Sequence, residues 1–168
     1  MALDAVTYFT LEAGGKLQGG TVKTSRKGGV DVFSVFHELV SPRDPATGQA
    51  TGKRMHKPFC IEFYYDPILP QLYDALARNE SFKEVKTESF SPNINTKMGG
   101  QGVETLHYRV TLNEAFLSRI THTMPFNRDP NLSRIDHTIR CEFVYGKITW
   151  EWLAGTTKMA VDEWKNAK

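Results

Sequence analysis

Residues 52–80, GKRMHKPFCIEFYYDPILPQLYDALARNE, change period partway along, and that change decides the fold. Up to Tyr65 the period is two. Phe59, Ile61, Phe63 and Tyr65 fall on one side and Cys60, Glu62 and Tyr64 on the other, as in a half-exposed β-strand that ends at Asp66. Beyond it Leu69, Leu72, Tyr73 and Leu76 are spaced i, i+3, i+4 and i+7, one stripe of an α-helix, with Gln71, Asp74, Arg78 and Glu80 off the stripe. A helix with a single apolar face needs a sheet to lie on. Burial stabilises each large apolar side chain by about 1.5–3 kcal/mol. Leu72, Tyr73 and Leu76 would therefore hold this helix more firmly than so short a segment can hold itself. The helix is expected over about 67–79, ending near Asn79. Asp66 followed by Pro67 offers a cap with proline in the first turn. The cleaner alternative places Pro70 at the first helical position, after Leu69.

Working outward, most other segments read as strands. Leu3, Ala5, Thr7, Phe9 and Leu11 alternate with Asp4, Val6, Tyr8 and Thr10. Three glycine pairs, Gly14-Gly15, Gly19-Gly20 and Gly28-Gly29, then mark turns or a loose loop. Val30 to Val40 is rich in β-branched and aromatic residues on both faces, the signature of a central strand covered on two sides. Ser41 to Lys57 is the longest loop, with two prolines, two glycines and four Lys or Arg side chains. Loops of about 15 residues are uncommon in compact domains unless they have a function, so this one is the first candidate for a contact surface. Phe82 to Phe90 reads as a strand, followed by the turn-rich SPNINTKMGGQG. Leu106, Tyr108, Val110 and Leu112 alternate clearly, in a strand that bends near Asn113-Glu114 and continues through Phe116 to Ile120. After a proline-containing loop, Pro125 to Ser133, Ile139, Cys141, Phe143 and Tyr145 alternate, and beyond Gly146 the pattern resumes with Ile148, Trp150 and Trp152. The tail from Thr156 has no sustained period, and its Trp164 is large enough to dock on a neighbour. The sum is a mainly β fold of seven or eight mostly antiparallel strands, closed as a barrel or a two-sheet sandwich, with one helix packed on one side.

At 168 residues and 40% hydrophobic, the chain suffices for one domain, 1–168, with a sizeable core. A formal charge of +2 argues neither for nucleic acid nor for a membrane surface. Cys60 and Cys141 lie in expected strands and read as buried thiols rather than a disulfide framework. The first residues carry no basic leader followed by an apolar core of signal-peptide length, and no run approaches the roughly 18 apolar residues of a membrane span.

Motifs that carry chemistry are missing. Gly48, Gly52 and Lys53 miss the phosphate-loop pattern, which needs four residues between its glycines and Ser or Thr where Arg54 stands. The basic group Lys53, Arg54, His56 and Lys57 reads as a solvated loop or protein contact before nucleic acid. His107, His122 and His137 recur evenly but match no zinc spacing, where ligands come in close pairs. No nucleophile signature and no marked acid pair is present. The reading is not an enzyme, with no cofactor and no metal.

Six stretches in order nevertheless resemble one family: MALDAVTYFTLEA, KGGVDVFSVFHELVSP, TGKRMHKPFCIEF, DPILPQLYDALARNESF, VETLHYRVTLNEAFLSRI and IRCEFVYGKITWEWLAG. Together they are similar to the Hcp proteins, the tube proteins of bacterial type VI secretion systems, from about Ala2 to Trp164. The resemblance implies a small β-barrel of two mostly antiparallel sheets with a helix on one side, and subunits that form a homohexameric ring. It further implies rings stacked into a hollow tube inside a contractile sheath, a spike protein at the tip, and effector proteins sheltered in the lumen. Such a protein is cytoplasmic before firing and then secreted without a cleaved signal peptide, with no nucleic acid and no membrane insertion. The loop 41–57 falls where the family has an extended loop between subunits or stacked rings. Arg43, Gln49, Lys53, Arg54, Met55 and His56 are therefore the expected assembly residues, and charge reversal at Arg54 is expected to impair assembly more than folding. Where the family has a tryptophan-containing segment in the second strand, this chain has Phe36-His37. Two other readings stand beside this one: a tube subunit of a phage-tail-like contractile particle, and a monomeric barrel with a small molecule in its mouth.

Overall fold

The computed structural model describes residues 4–92, 104–129, 132 and 136–163. Among these the elements are β1 (Asp4–Leu11), β2 (Gly15–Lys16), a 3-10 turn (Thr24–Arg26), β3 (Val30–Phe36), β4 (Leu39–Val40), β5 (Met55–His56), β6 (Phe59–Tyr64), α1 (Leu69–Ala77), β7 (Ser81–Pro92), β8 (Glu104–Thr123), β9 (Thr138–Trp152) and β10 (Lys158–Glu163). Leu3, the segment 93–102, part of the loop 125–133, and Trp164 with the rest of the tail lie outside the described residues.

The strands follow the order β10-β9-β6-β3-β1-β7-β8, and β8 pairs back onto β9. Strands β9, β6, β3, β1, β7 and β8 thus close into a barrel whose pairings are all antiparallel. It is the mainly β barrel with one packed helix that the patterns imply, built as one continuous sheet wrapped on itself. β9 carries two neighbours along one edge. β6 takes Thr138–Phe143 and β10 takes Lys147–Trp152. β10 lies in the tail that has no sustained period, because its hydrogen bonds to β9 rather than an apolar stripe make it a strand.

The two long strands share a phase slip. Val110 and Leu112 are buried, and the next buried residues in β8 are Ala115 and Leu117, so inward and outward exchange at Glu114, whose φ is 48°. The opposite strand slips at the same level, from Tyr145 to Ile148 across Gly146. A Cβ at Gly146 would sit 2.9 Å from the Glu114 Oε2 and 3.3 Å from its Cβ, so glycine lets the Glu114 side chain lie across the opposite slip without being pushed aside. This is the bend expected near Asn113-Glu114.

The inward positions fill the barrel. Phe9, Phe59, Phe63, Phe82, Phe143, Ile61, Leu112, Ile139 and Ile148 are fully buried. Phe9, Phe82 and Phe143 make a ring cluster with centroids 5.7–6.2 Å apart. Cys60 and Cys141 are buried free thiols. They point to opposite faces of the sheet, since Cys60 pairs with Glu142 and Ile61 with Cys141, and burial pushes the Cys141 thiol up to about 12.

The helix buries Ile68, Leu72 and Ala75, with Leu69 and Leu76 at the margin, while Tyr73 turns outward. The expected stripe is rotated by one residue, which leaves the tyrosine hydroxyl in water instead of costing it a buried partner. Pro70 occupies the second helical position after Ile68 and Leu69 rather than the first. Asp66 starts the turn by accepting from the Ile68 amide at 2.9 Å, and the Leu69 amide donates to its carbonyl at 3.0 Å. Asn79 ends the helix with φ 52°, the Asn79 and Glu80 amides donating back to the Leu76 and Ala75 carbonyls.

The glycine-rich segment is tighter than a loose loop. The Gly19 amide donates to the Gly28 carbonyl at 3.0 Å, and a Cβ at Gly19 would meet the Gly29 carbonyl oxygen at 2.2 Å. The buried Arg26 guanidinium sits 3.7 Å over the Phe90 ring and pairs with Asp4 and Glu104, tying this segment to the starts of β1 and β8.

Candidate assembly surface

The segment 41–57 folds as a two-stranded extension rather than an irregular loop. β4 pairs with β5 through Leu39↔His56 and Val40↔Met55, and a further bridge joins Arg43 to Ala50. At the tip the Asp44 carboxylate accepts from the Ala46 and Thr47 amides at 2.6 and 3.0 Å. Those bonds hold it below the usual carboxylate range. Gly48 takes φ 69°, as such a turn requires.

The base of this hairpin is fastened to the barrel by a chain of polar groups. Arg54 donates from Nε and Nη2 to the Asp162 carboxylate on β10. His56, whose side chain is 4% exposed, places Nε2 2.9 Å from Asp162 and Nδ1 2.9 Å from the Tyr145 hydroxyl. The same hydroxyl lies 2.7 Å from Nε2 of His37. With both imidazoles neutral, one proton arrangement satisfies every link. The carboxylate only accepts, so His56 carries its proton on Nε2 and accepts at Nδ1 from Tyr145; Tyr145 then accepts from His37 Nε2. Arg54 is the main cause holding Asp162 below the usual carboxylate value, with His56 adding to it. Burial pushes the Tyr145 phenol up, so it remains a neutral donor. Burial, with His56 beside it, pushes His37 down.

The directions of these shifts set a pH dependence. His37 has a folded value below its unfolded one, so the unfolded chain takes up that proton first. Its contribution is complete above 6.5 and is lost as pH falls from 6.5 toward the lower folded value. Asp162 adds a second loss further into acid, complete above 3.8 and lost as pH falls through its depressed folded value. The denaturant midpoint should therefore decline across the first window in the wild type, and decline less in His37→Gln, which keeps a donor for Tyr145. Asp162→Asn should loosen the hairpin by about 1–2 kcal/mol, the low end for a charged hydrogen bond because Arg54 is partly screened by water. Faster amide exchange at Met55 and His56, with barrel strands unchanged, is the expected readout.

The outer wall of the barrel is apolar around β3. Phe33 and Phe36 are 48% and 53% exposed, Tyr64 is also exposed, and the Phe33 and Tyr64 rings lie 4.6 Å apart. This differs from the covered central strand that the composition implies. β3 is central in strand order, between β1 and β6, yet Phe33 and Phe36 on its outer face stay about half exposed. Beside the hairpin a mostly apolar groove of about 340 Å³ runs between His56, Lys57, Phe116, Val144 and Tyr145. Met159 and Val161 are exposed on β10, whose second edge is unpaired among the described residues.

Of the six residues expected to act in assembly, Arg43, Gln49, Lys53 and Met55 stand on the exposed surface of the hairpin. Arg54 and His56 turn back onto Asp162. Reversing the charge of Arg54 would set two carboxylates together, so it would act first on hairpin docking and not only on assembly. Asp162, Tyr145 and His37 were not singled out from the sequence. Asp162 lies in the tail without a period, and Asp162 and Tyr145 come beside the hairpin only through the pairing of β9 with β6 and β10.

The family described as "Type VI secretion system effector, Hcp" matches residues 8–152. The chain is 30% identical over 149 residues to the "Major exported protein" of Pseudomonas aeruginosa, covering 88% of this chain and 82% of that one. Its fold superposes on Hcp1 from E. coli EAEC 042 with a TM-score of 0.81 at 23% identity, covering 97% and 99% of the two chains. For Hcp3 from Pseudomonas aeruginosa the TM-score is 0.74 at 24% identity, over 97% and 99%. The match spans the helix, the hairpin and the phase-slipped strand pair alike, and this chain belongs to the Hcp family of type VI secretion.

Proposed function

We propose that this chain, as a single Hcp-like domain, is the structural subunit of a type VI secretion tube and forms hexameric rings that stack into a hollow cylinder. The observation that carries the reading is the apolar outer wall, Phe33, Phe36 and Tyr64, which a lone barrel leaves about half in water and a neighbouring copy would cover. The exposed hairpin residues Arg43, Gln49, Lys53 and Met55 are assigned to contacts between subunits or stacked rings, with Arg54 and His56 holding the hairpin in place for them. A contractile sheath around the tube, a spike at its tip and effector proteins in its lumen are the partners, and the role is architectural rather than catalytic. The subunit is made in the cytoplasm and leaves the cell when the sheath fires. The relative's name, "Major exported protein", supports export. The filled interior, with Phe59, Phe63 and Phe143 buried and Tyr108 and Trp150 packed against them, disfavours a small-molecule carrier.

Light scattering and negative-stain microscopy of the purified protein test the reading. Ring particles with a central pore, and loss of the protein from culture supernatant when the sheath gene is deleted, are the expected results. A monomer at every concentration, together with export that ignores the sheath, would overturn it.

A further inference from the structure

We propose that Tyr65, His122 and His137 form a binding site for a divalent late transition-metal ion at one mouth of the barrel. His122 Nε2 lies 2.7 Å from the Tyr65 hydroxyl and 3.2 Å from His137 Nδ1, and the Tyr65 hydroxyl lies 3.0 Å from His137 Nδ1. Three donor atoms from three strand ends thus make a closed triangle.

The barrel's register brings them together. Phe63 pairs with Ile139 and Tyr64 with Thr138, so Tyr65 and His137 come one step beyond the last pair. His122 pairs with Ile139 on the other side of β9. All three side chains therefore share the inward-facing row of Phe63 and Ile139, both fully buried. Where that row leaves the core it carries two imidazoles and a phenol, and Tyr65 is 55% exposed, so an ion can enter from water. No other arrangement of the sequence would signal this. The even spacing of His107, His122 and His137 is incidental, since His107 lies against Trp152 instead.

Protons alone do not satisfy the triangle. An imidazole nitrogen either carries a proton and donates or has a lone pair and accepts, and the phenol has one proton. At most two of the three edges can be straight hydrogen bonds, leaving the third close approach uncompensated. A cation at the centre uses all three lone pairs. Metal bonds of 2.0–2.2 Å imply ligand edges of about 2.9 Å for cis octahedral and about 3.4 Å for tetrahedral geometry. The observed edges of 2.7–3.2 Å lie around the first and need only a small widening for the second. Two imidazoles and a phenolate suit Cu²⁺, Ni²⁺ and Zn²⁺, with Cu²⁺ bound most tightly in the usual order. Water completes the coordination. Among the described residues no three of His, Cys, Asp or Glu cluster; the third donor here is the phenol.

Untagged protein titrated with Cu²⁺ and with Zn²⁺, followed by calorimetry, electron paramagnetic resonance and thermal melting, tests the site. One ion per chain is expected, with two imidazole nitrogens in the Cu²⁺ spectrum, a tyrosinate charge-transfer band in the visible, and a melting temperature that rises with metal. His122→Ala and His137→Ala should each weaken binding by at least about tenfold, the loss that even an outer-shell partner can cause. Tyr65→Phe should abolish the visible band, and His107→Ala should change nothing. Tyr65 and His122 are exposed and His107 and His137 partly buried, and each variant is checked for folding by its metal-free melt. Unchanged Cu²⁺ affinity in the His122→Ala/His137→Ala double variant, or no binding by the wild type, would overturn the proposal.

Discussion

Phe33→Glu combined with Phe36→Glu is expected to yield a folded barrel that no longer forms rings. Each phenylalanine is about half buried by its own chain, so a neighbour gains only the remainder of its surface, about 1 kcal/mol apiece. The larger effect is the carboxylate. Placing two charges in an apolar contact without partners costs several kcal/mol more. The sum corresponds to roughly a hundredfold or greater loss of subunit affinity. Stability of the barrel itself should move by no more than about 0.5 kcal/mol, as for other surface changes. Light scattering reads the first effect and a urea melt the second. Rings that persist at wild-type concentrations would show that the neighbour contacts a different face, such as the open edge of β10.

The largest stability effect is expected from Phe143→Ala. Phe143 has no exposed surface, and its ring lies 5.9 Å from Phe9 and 5.7 Å from Phe82, so truncation empties the middle of the barrel. Such changes cost about 3–5 kcal/mol, a large part of the 5–15 kcal/mol that holds a typical domain together. The urea midpoint should fall with little change in slope, and Phe143→Leu should fall less. A loss below about 1 kcal/mol would mean that the interior has room to spare, and a ligand-carrying barrel would regain its force.

Several particular elements were legible before the structure. The stretch 59–77 shows both its strand and its helix, because each exposes one face to a different environment and the apolar residues record the period. The slips at Glu114 and Gly146 were visible as a bend and a restart of alternation. The helix was legible as an element but not in its rotation. Tyr73 and Ala75 compete for the same stripe, and only the sheet beneath chooses the smaller, nonpolar one. β3 was misjudged on its outer face for a related reason. Apolar residues that the fold leaves half in water look the same in sequence as apolar residues that the rest of the chain covers.

Period and turn chemistry are local, so the sequence alone determined that this is a strand-dominated chain with one short amphipathic helix, and the ordered resemblance of six stretches determined its family. The partners of the polar groups were decided only by tertiary structure. Arg54 and Asp162 are 108 residues apart, as are His37 and Tyr145, and His122 reaches Tyr65 across 57. Nothing in the spacing of such residues marks them, because it is the pairing of β9 with β6, β8 and β10, and the register of each pairing, that sets which side chains emerge together at the barrel's wall and mouth.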